Sequence, residues 1–188
     1  MMEQAATPAS NPKPAWLDQV IIRHLRQVDL PALEWDGEYT RFRKLYESAF
    51  ERSMMGQSVL WVAEHQGHGV IGQLFLQLDS DLTELADGKT RAYLYAFRIR
   101  PEYRCEGLGS FMMALAEADL LKHGFEVITL NVTRENRDAI RLYERRGYRI
   151  TGPDAGQWSY PDHEGVWQTV NEPSWRMEKQ LEKTTNQD

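Results

Sequence analysis

Residues Arg104-Cys105-Glu106-Gly107-Leu108-Gly109 lie between an apolar, β-rich run that ends at Ile99 and a helical pattern that starts near Gly109. Strand, glycine-bearing loop and helix N-terminus therefore follow one another with almost no spacer. Backbone N–H groups in such a loop converge on one point, and the helix dipole adds partial positive charge there. Phosphate is the natural occupant. The two glycines let the backbone approach a bulky diphosphate where a Cβ would collide.

The flanking pattern predicts a mixed α/β (α+β) chain. Residues 20–27 read as a first strand. Asp29 as N-cap and Pro31 in the first turn open a helix. Residues 39–55 carry Phe42, Leu45, Tyr46, Ala49 and Phe50 at three- and four-residue spacing, an amphipathic helix stopped by Gly56. Residues 58–64 and 70–78 form a hairpin around Gln66-Gly67-His68-Gly69. An acidic excursion, residues 79–89, precedes the strand of residues 90–99. A helix over 109–123, with Phe111, Met112, Leu115, Ala116 and Ala118 on its buried face, ends at Gly124. Residues 127–132 are a short strand and 136–146 a helix ended by Gly147. One or two aromatic-rich strands close the chain over 149–179. This order predicts a mixed sheet with helices on both faces.

Composition narrows the class. With 188 residues, 41% apolar and 27% charged, the chain suits one domain with one core. Residues 1–15 read as a disordered leader, 16–182 as the domain and 183–188 as a loose tail. No apolar run approaches the roughly 18 residues of a membrane span, and residues 1–14 have no apolar segment of a secretory signal. A single cysteine, Cys105, suits a reducing compartment and a cytoplasmic protein. A net charge of −6 argues against nucleic acid as partner. His65 and His68 flank a turn with few carboxylates close by, which argues against a metal site.

A second motif follows the first by about thirty residues: Asn136-Arg137-Asp138-Ala139-Ile140-Arg141-Leu142-Tyr143-Glu144-Arg145-Arg146-Gly147-Tyr148. Together with the loop, it resembles the GNAT superfamily of N-acetyltransferases over about residues 94–149. That family carries an Arg/Gln-x-x-Gly-x-Gly/Ala loop for the coenzyme A pyrophosphate and an Asn-x-x-Ala-x-x-x-Tyr helix downstream. The resemblance implies a twisted sheet of about six to seven strands whose central strands splay to admit an acyl thioester. It also implies acetyl-CoA as co-substrate, an amine acceptor and no metal; homodimers are common for such a fold.

By the same resemblance, the amides of Cys105, Glu106, Gly107, Leu108, Gly109 and Ser110 would face the diphosphate, with Arg104 adding charge. The backbone of Phe97, Arg98 and Ile99 would pair with pantetheine, and an N–H near Ile99 would polarise the thioester carbonyl. Asn136 would contact the coenzyme or cap its helix. Tyr143 would protonate the departing thiolate. Many relatives place a Glu where this chain has Asn131, which cannot take a proton. Glu34, Asp36, Asp162, His163 and Glu164 are the remaining candidates for a base. Arg104, Arg137 and Arg141 are best placed for ligand phosphate. Of Trp158, Tyr160, Trp167 and Trp175, at least half are expected to be core.

The expected reaction moves acetyl from acetyl-CoA to a primary amine of a small molecule, the acidic loops favouring a cationic one such as a polyamine. The alternatives are a peptide or protein amine as acceptor, or a non-catalytic acyl-CoA-binding module.

Overall fold

The computed structural model describes residues 14–182. The expectations for residues 1–13 and for the tail 183–188 lie outside the described residues. Ala15, counted with the leader, already opens a 3-10 turn, Ala15–Gln19.

Nine strands and three α-helices make up the described chain. The strands are β1 (Val20–His24), β2 (Ser58–His65), β3 (Gly69–Gln77), β4 (Arg91–Ile99), β5 (Val127–Thr133), β6 (Arg149–Asp154), β7 (Gln157–Pro161), β8 (Trp167–Asn171) and β9 (Ser174–Gln180). The helices are α1 (Arg43–Met54), α2 (Leu108–Lys122) and α3 (Arg137–Arg145). Seven strands form one sheet in the order β1-β2-β3-β4-β5-β9-β6, while β7 and β8 form a separate hairpin. Only β4 and β5 pair in parallel; every other pair in the main sheet is antiparallel. No described helix is long and apolar enough to cross a membrane.

The two faces of the sheet bury separate apolar clusters. One gathers Leu33, Phe42, Tyr46 and Ala49 against Leu60, Val62 and Phe75. The other gathers α2 and Tyr143 of α3 against Leu74, Leu76, Leu94, Ile128, Leu130 and Met177. Helices therefore cover both faces, as the element order predicts.

Three expectations need correction. The segment at Asp29 is a 3-10 helix, Gln27–Glu34, and its N-cap is Arg26. Asp29 sits one turn in, accepting from the Arg26 N–H at 2.8 Å and pairing with Arg23 at 2.6 Å. The buried face of α2 is Leu108, Met112, Met113, Ala116 and Leu120, and Phe111 is exposed. This helix is apolar around most of its circumference, so spacing alone could not orient it. The C-terminal third holds four strands rather than one or two. Pro153 and Pro161 are tolerated because β6 is the sheet edge and Pro161 ends its strand, where no ladder N–H is needed.

Strand β4 carries the feature that opens the sheet. Gln73 faces Arg98 and Phe75 faces Tyr95, so two steps on β3 are matched by three on β4. The extra residue forms a bulge, and Ala96 adopts φ +48°. The side-chain alternation therefore slips: Leu94, Phe97 and Ile99 all point to the α2 side, and Tyr95 and Ala96 to the α1 side. Strand β5 follows β4 only from Arg91 to Leu94. Beyond that point β4 stays with β3 and β5 stays with β9, which leaves a split between them.

A buried carboxylate holds the far side of the split together. Glu117 of α2, 8% exposed, accepts from Arg146 at 2.5 Å, Lys179 at 2.7 Å and the Tyr148 hydroxyl at 3.1 Å. It thus ties α2 to the end of α3 and to β9. Glu117→Gln should lower stability by about 1–3 kcal/mol, because two cations lose their counter-charge in a half-buried site. The urea unfolding midpoint measures this.

Candidate active site

The loop and first turn of α2 supply the first half of the site. Gly107 takes φ +95° as the N-cap of α2, and Cys105 takes φ +63°. No described residue accepts a hydrogen bond from the backbone N–H of Cys105, Glu106, Gly107, Leu108, Gly109 or Ser110. Six successive donors are therefore available at one helix N-terminus, the arrangement that suits a polyanion. The exposed Glu106 carboxylate does not point among them; it accepts from Trp16 Nε1 at 2.6 Å. The Trp16 ring in turn meets Tyr103 edge-on at 5.0 Å.

Gly109 has a packing reason for being glycine, beside the one expected from the sequence. A Cβ there would lie 3.3 Å from Ile99 Cδ1, 3.4 Å from Phe97 Cζ and 3.5 Å from Leu142 Cδ2. The residue lets α2, β4 and α3 meet closely, and the room is needed by apolar side chains. Gly107 is the one that meets a conformational demand, since its φ disfavours any L side chain.

The edge of β4 supplies the second half. Arg100 donates its N–H to Ile71 C=O at 2.8 Å. In an antiparallel ladder alternate residues turn both backbone groups to the partner, so Ile99 turns its N–H and C=O away from β3 and into the split. The Ile99 C=O accepts from Arg104 Nε at 2.7 Å. The Ile99 N–H is left as a donor on the open edge. Phe97 and Ile99 side chains pack toward Gly109, while Arg98 between them points to the other face and donates to the Tyr46 hydroxyl at 2.6 Å.

Tyr143 is 7% exposed in the apolar cluster on the α2 side, its ring 5.8 Å from that of Tyr148. Burial, with a smaller contribution from Tyr93, raises its pKa well above the ordinary phenol range, so it is neutral and able to donate. Asn136 is exposed and caps α3, its side-chain oxygen accepting from the Ala139 N–H at 3.2 Å. Arg137 is exposed at the start of α3, and Arg141 is paired with Asp138 on the helix surface.

Asn131 stands just past the last β4–β5 pair, with its Oδ1 buried and unbonded among the described residues. The suggested bases are largely committed elsewhere. Glu34 binds Arg43 at 2.5 Å and Thr40 at 2.7 Å, and Asp36 pairs with Arg100 at 3.2 Å. Asp162 organises the β7–β8 turn through the N–H groups of Glu164 and Val166 and the Gln168 amide. That donation holds its carboxyl below the usual range, the Gln168 bond contributing most. His65 and His68 stack at 4.5 Å, and His68 Nδ1 is hydrogen-bonded to the Tyr103 hydroxyl. Of the four C-terminal aromatics, Tyr160 is buried and Trp175 packs on the α2-side core, whereas Trp158 and Trp167 are exposed. Two clefts of about 680 and 890 Å³ lie elsewhere, one beside Phe50 and Phe125 and one along α2 and β6. The site is an open gap between strands.

The Acetyltransferase (GNAT) family description matches residues 22–148. The chain belongs to the GNAT acetyltransferase family. It is 27% identical over 70 residues to a mycothiol acetyltransferase of Propionibacterium freudenreichii, a match that takes in 37% of this chain and only 22% of that protein. The fold is similar to that of the ribosomal-protein-S18-alanine N-acetyltransferase of Escherichia coli (TM-score 0.63, 20% identity, 89% of this chain and 97% of the other). It is equally similar to the spermidine/spermine N-acetyltransferase of Vibrio cholerae (TM-score 0.63, 21% identity, 89% and 95%).

Residues on the α1 side of β4 were not singled out from sequence. Tyr39, Phe42 and Tyr46 gather around the Arg98 side chain. Their helical spacing marked Phe42 and Tyr46 as core, and both are indeed buried. The signal that was available is an arginine within the apolar second half of β4. Because Gly109 is packed on three sides, Gly109→Ala should cost roughly 1–2 kcal/mol through overpacking, read as a lowered midpoint in chemical denaturation.

Proposed function

We propose that this acetyltransferase moves the acetyl group of acetyl-CoA to a primary amine of a small molecule by direct attack on the thioester. One observation carries the reading: six unengaged N–H groups at the α2 N-terminus flank the same split into which Ile99 turns its free N–H. The amides from Cys105 to Ser110 would hold the diphosphate, with Arg104 adding positive charge. The outer half of β4 from Phe97 to Ile99 would receive pantetheine through main-chain hydrogen bonds. Gly107 fits this role because its conformation turns the loop without a side chain over the amides.

The chemistry follows from the groups at the split. The Ile99 N–H stabilises negative charge on the thioester oxygen as the amine nitrogen bonds to the carbonyl carbon. As the carbon–sulfur bond breaks, Tyr143 donates to the sulfur. A free thiol has a pKa near ~8.5, below that of a buried phenol, but the same loss of water that raises the phenol also raises a departing thiolate. The amine gives up its proton to water, and Tyr143 regains one from solvent. Asn131 Oδ1 can accept a hydrogen bond from an amine N–H and thereby orient it, without acting as a base. Holding both substrates in one gap supplies much of the rate.

Asn131 in place of a carboxylate also favours a second reading, an acyl-CoA-binding module without turnover. Thiol release with any amine separates the two; binding without release would support the module.

Two substitutions test the first reading. Ser110→Asp adds an acid in the first turn of α2, where the helix dipole welcomes it, but sets it against a diphosphate. Calorimetric titration should show acetyl-CoA affinity down about tenfold or more, with thermal stability retained; unchanged affinity removes the loop from the coenzyme site. Tyr143→Phe should lower kcat about tenfold or more, while the affinity for acetyl-CoA changes little. Equal turnover would exclude the phenol as donor.

A further inference from the structure

Resting on the acetyltransferase reading above, we propose that the acceptor carries a carboxylate as well as its amine, and that Arg98 is the residue that selects it. Arg98 leaves β4 on the face opposite Phe97 and Ile99. Its guanidinium carbon lies 4.1 Å from the centre of the Tyr39 ring and 5.1 Å from that of Phe42. One Nη is committed to the buried Tyr46 hydroxyl at 2.6 Å. No described carboxylate pairs with it. A half-buried guanidinium fixed by rings on its face and a hydroxyl at one end keeps its remaining N–H edge for an outside acceptor. A planar carboxylate matches that edge.

The surroundings support an anion over a cation. Glu34 and Asp36, the acids of the segment before α1, are neutralised by Arg43 and Arg100. Glu38 bears on the Tyr39 phenol. Arg41 adds a second guanidinium 4.6 Å over Phe42, hydrogen-bonded among the described residues to the Glu38 backbone carbonyl alone. A polycationic amine entering from this side would meet the Arg98 and Arg41 guanidiniums, which no described carboxylate pairs with, against the single unpaired carboxylate of Glu38, so the acidity of the chain as a whole does not extend to this entrance. Trp158, 41% exposed and stacked on Phe42 at 6.2 Å, extends an apolar wall for the hydrocarbon part of the acceptor. The adjacent Ile99 N–H faces the split, so an acceptor arriving from the α1 side passes the Arg98 head before reaching the thioester.

The test compares initial rates of thiol release from acetyl-CoA with matched amines: leucine and phenylalanine, their primary amides, the corresponding decarboxylated amines, a series of ω-amino acids with their amides, and spermidine. At least one amino acid should exceed its amide about tenfold or more in kcat/KM, as expected for a charge-assisted pair in a half-buried site. The amide has the more readily deprotonated amine, so intrinsic reactivity works against this outcome. Arg98→Met should bring that ratio close to one, and Arg98→Lys should keep part of it. Should Arg98→Met fail to fold, the exposed Arg41→Gln is expected to lower the same ratio severalfold. An enzyme that acetylates acids and amides alike, or prefers spermidine, keeps the acetyltransferase reading and overturns this inference. So does a folded Arg98→Met protein with an unchanged ratio. No thiol release with any amine overturns both.

Discussion

Strand β4 keeps β3 as its partner to Ile99 but loses β5 after Leu94, close to the extra residue at Ala96 that bends it. The shape of the candidate site at β4 depends on that one residue of excess. It separates the two central strands after Leu94, and it shifts the side-chain phase so that Phe97 and Ile99 serve the α2 side while Arg98 serves the α1 side. An alanine at positive φ costs of order 1–3 kcal/mol, and such strain persists only where the surrounding packing dictates it. Here the two apolar clusters on either side of the sheet do so, since each requires its own set of β4 side chains.

The polar contacts divide the molecule in a consistent way. Around the rim of the fold they are closed: Glu117 with Arg146, Lys179 and Tyr148, or Asp29 with Arg23 and the Arg26 backbone. Around the split they are open. The amides of the α2 N-terminus, the Ile99 N–H, the Asn131 oxygen and one edge of Arg98 all lack a partner within the described residues. Buried or half-buried polar groups are normally satisfied, and single side-chain atoms without a partner also occur away from the split, at Trp35, Ser58, Trp61 and Arg146; what sets the split apart is that the backbone donors of a helix start and of a strand edge meet there.

Much of this could be read before any coordinates, and the reasons are local. The loop from Arg104 to Gly109 and the helix from Asn136 to Tyr143 announce themselves because helix starts require specific residues at specific steps. Asn136 does cap its helix, and Gly124 and Gly147 do stand just beyond the ends of α2 and α3. The hairpin of β2 and β3 was legible from its Gly-rich turn. The bulge was not, because Ala96 is no glycine and its conformation is imposed by packing at a distance. The orientation of α2 was hidden by its uniform apolarity, and the placement of the Arg98 side chain by the fact that the aromatic residues around it also read as core. The reason for Gly109 became visible only when three elements distant in sequence were seen to touch.

The hydrogen bond from Arg104 to the Ile99 carbonyl has a further consequence. A sheet that opens in its middle exposes an interior edge, the kind of surface on which another chain could lay a strand and begin to aggregate. Strand addition needs donors and acceptors in alternation along that edge. With the carbonyl of Ile99 occupied by a side chain of the same molecule, the edge offers its donor alone at this point. It can receive a ligand that presents an acceptor, yet it is a poor template for a second polypeptide. The arginine that heads the loop before α2 thereby also guards the opening against unintended partners.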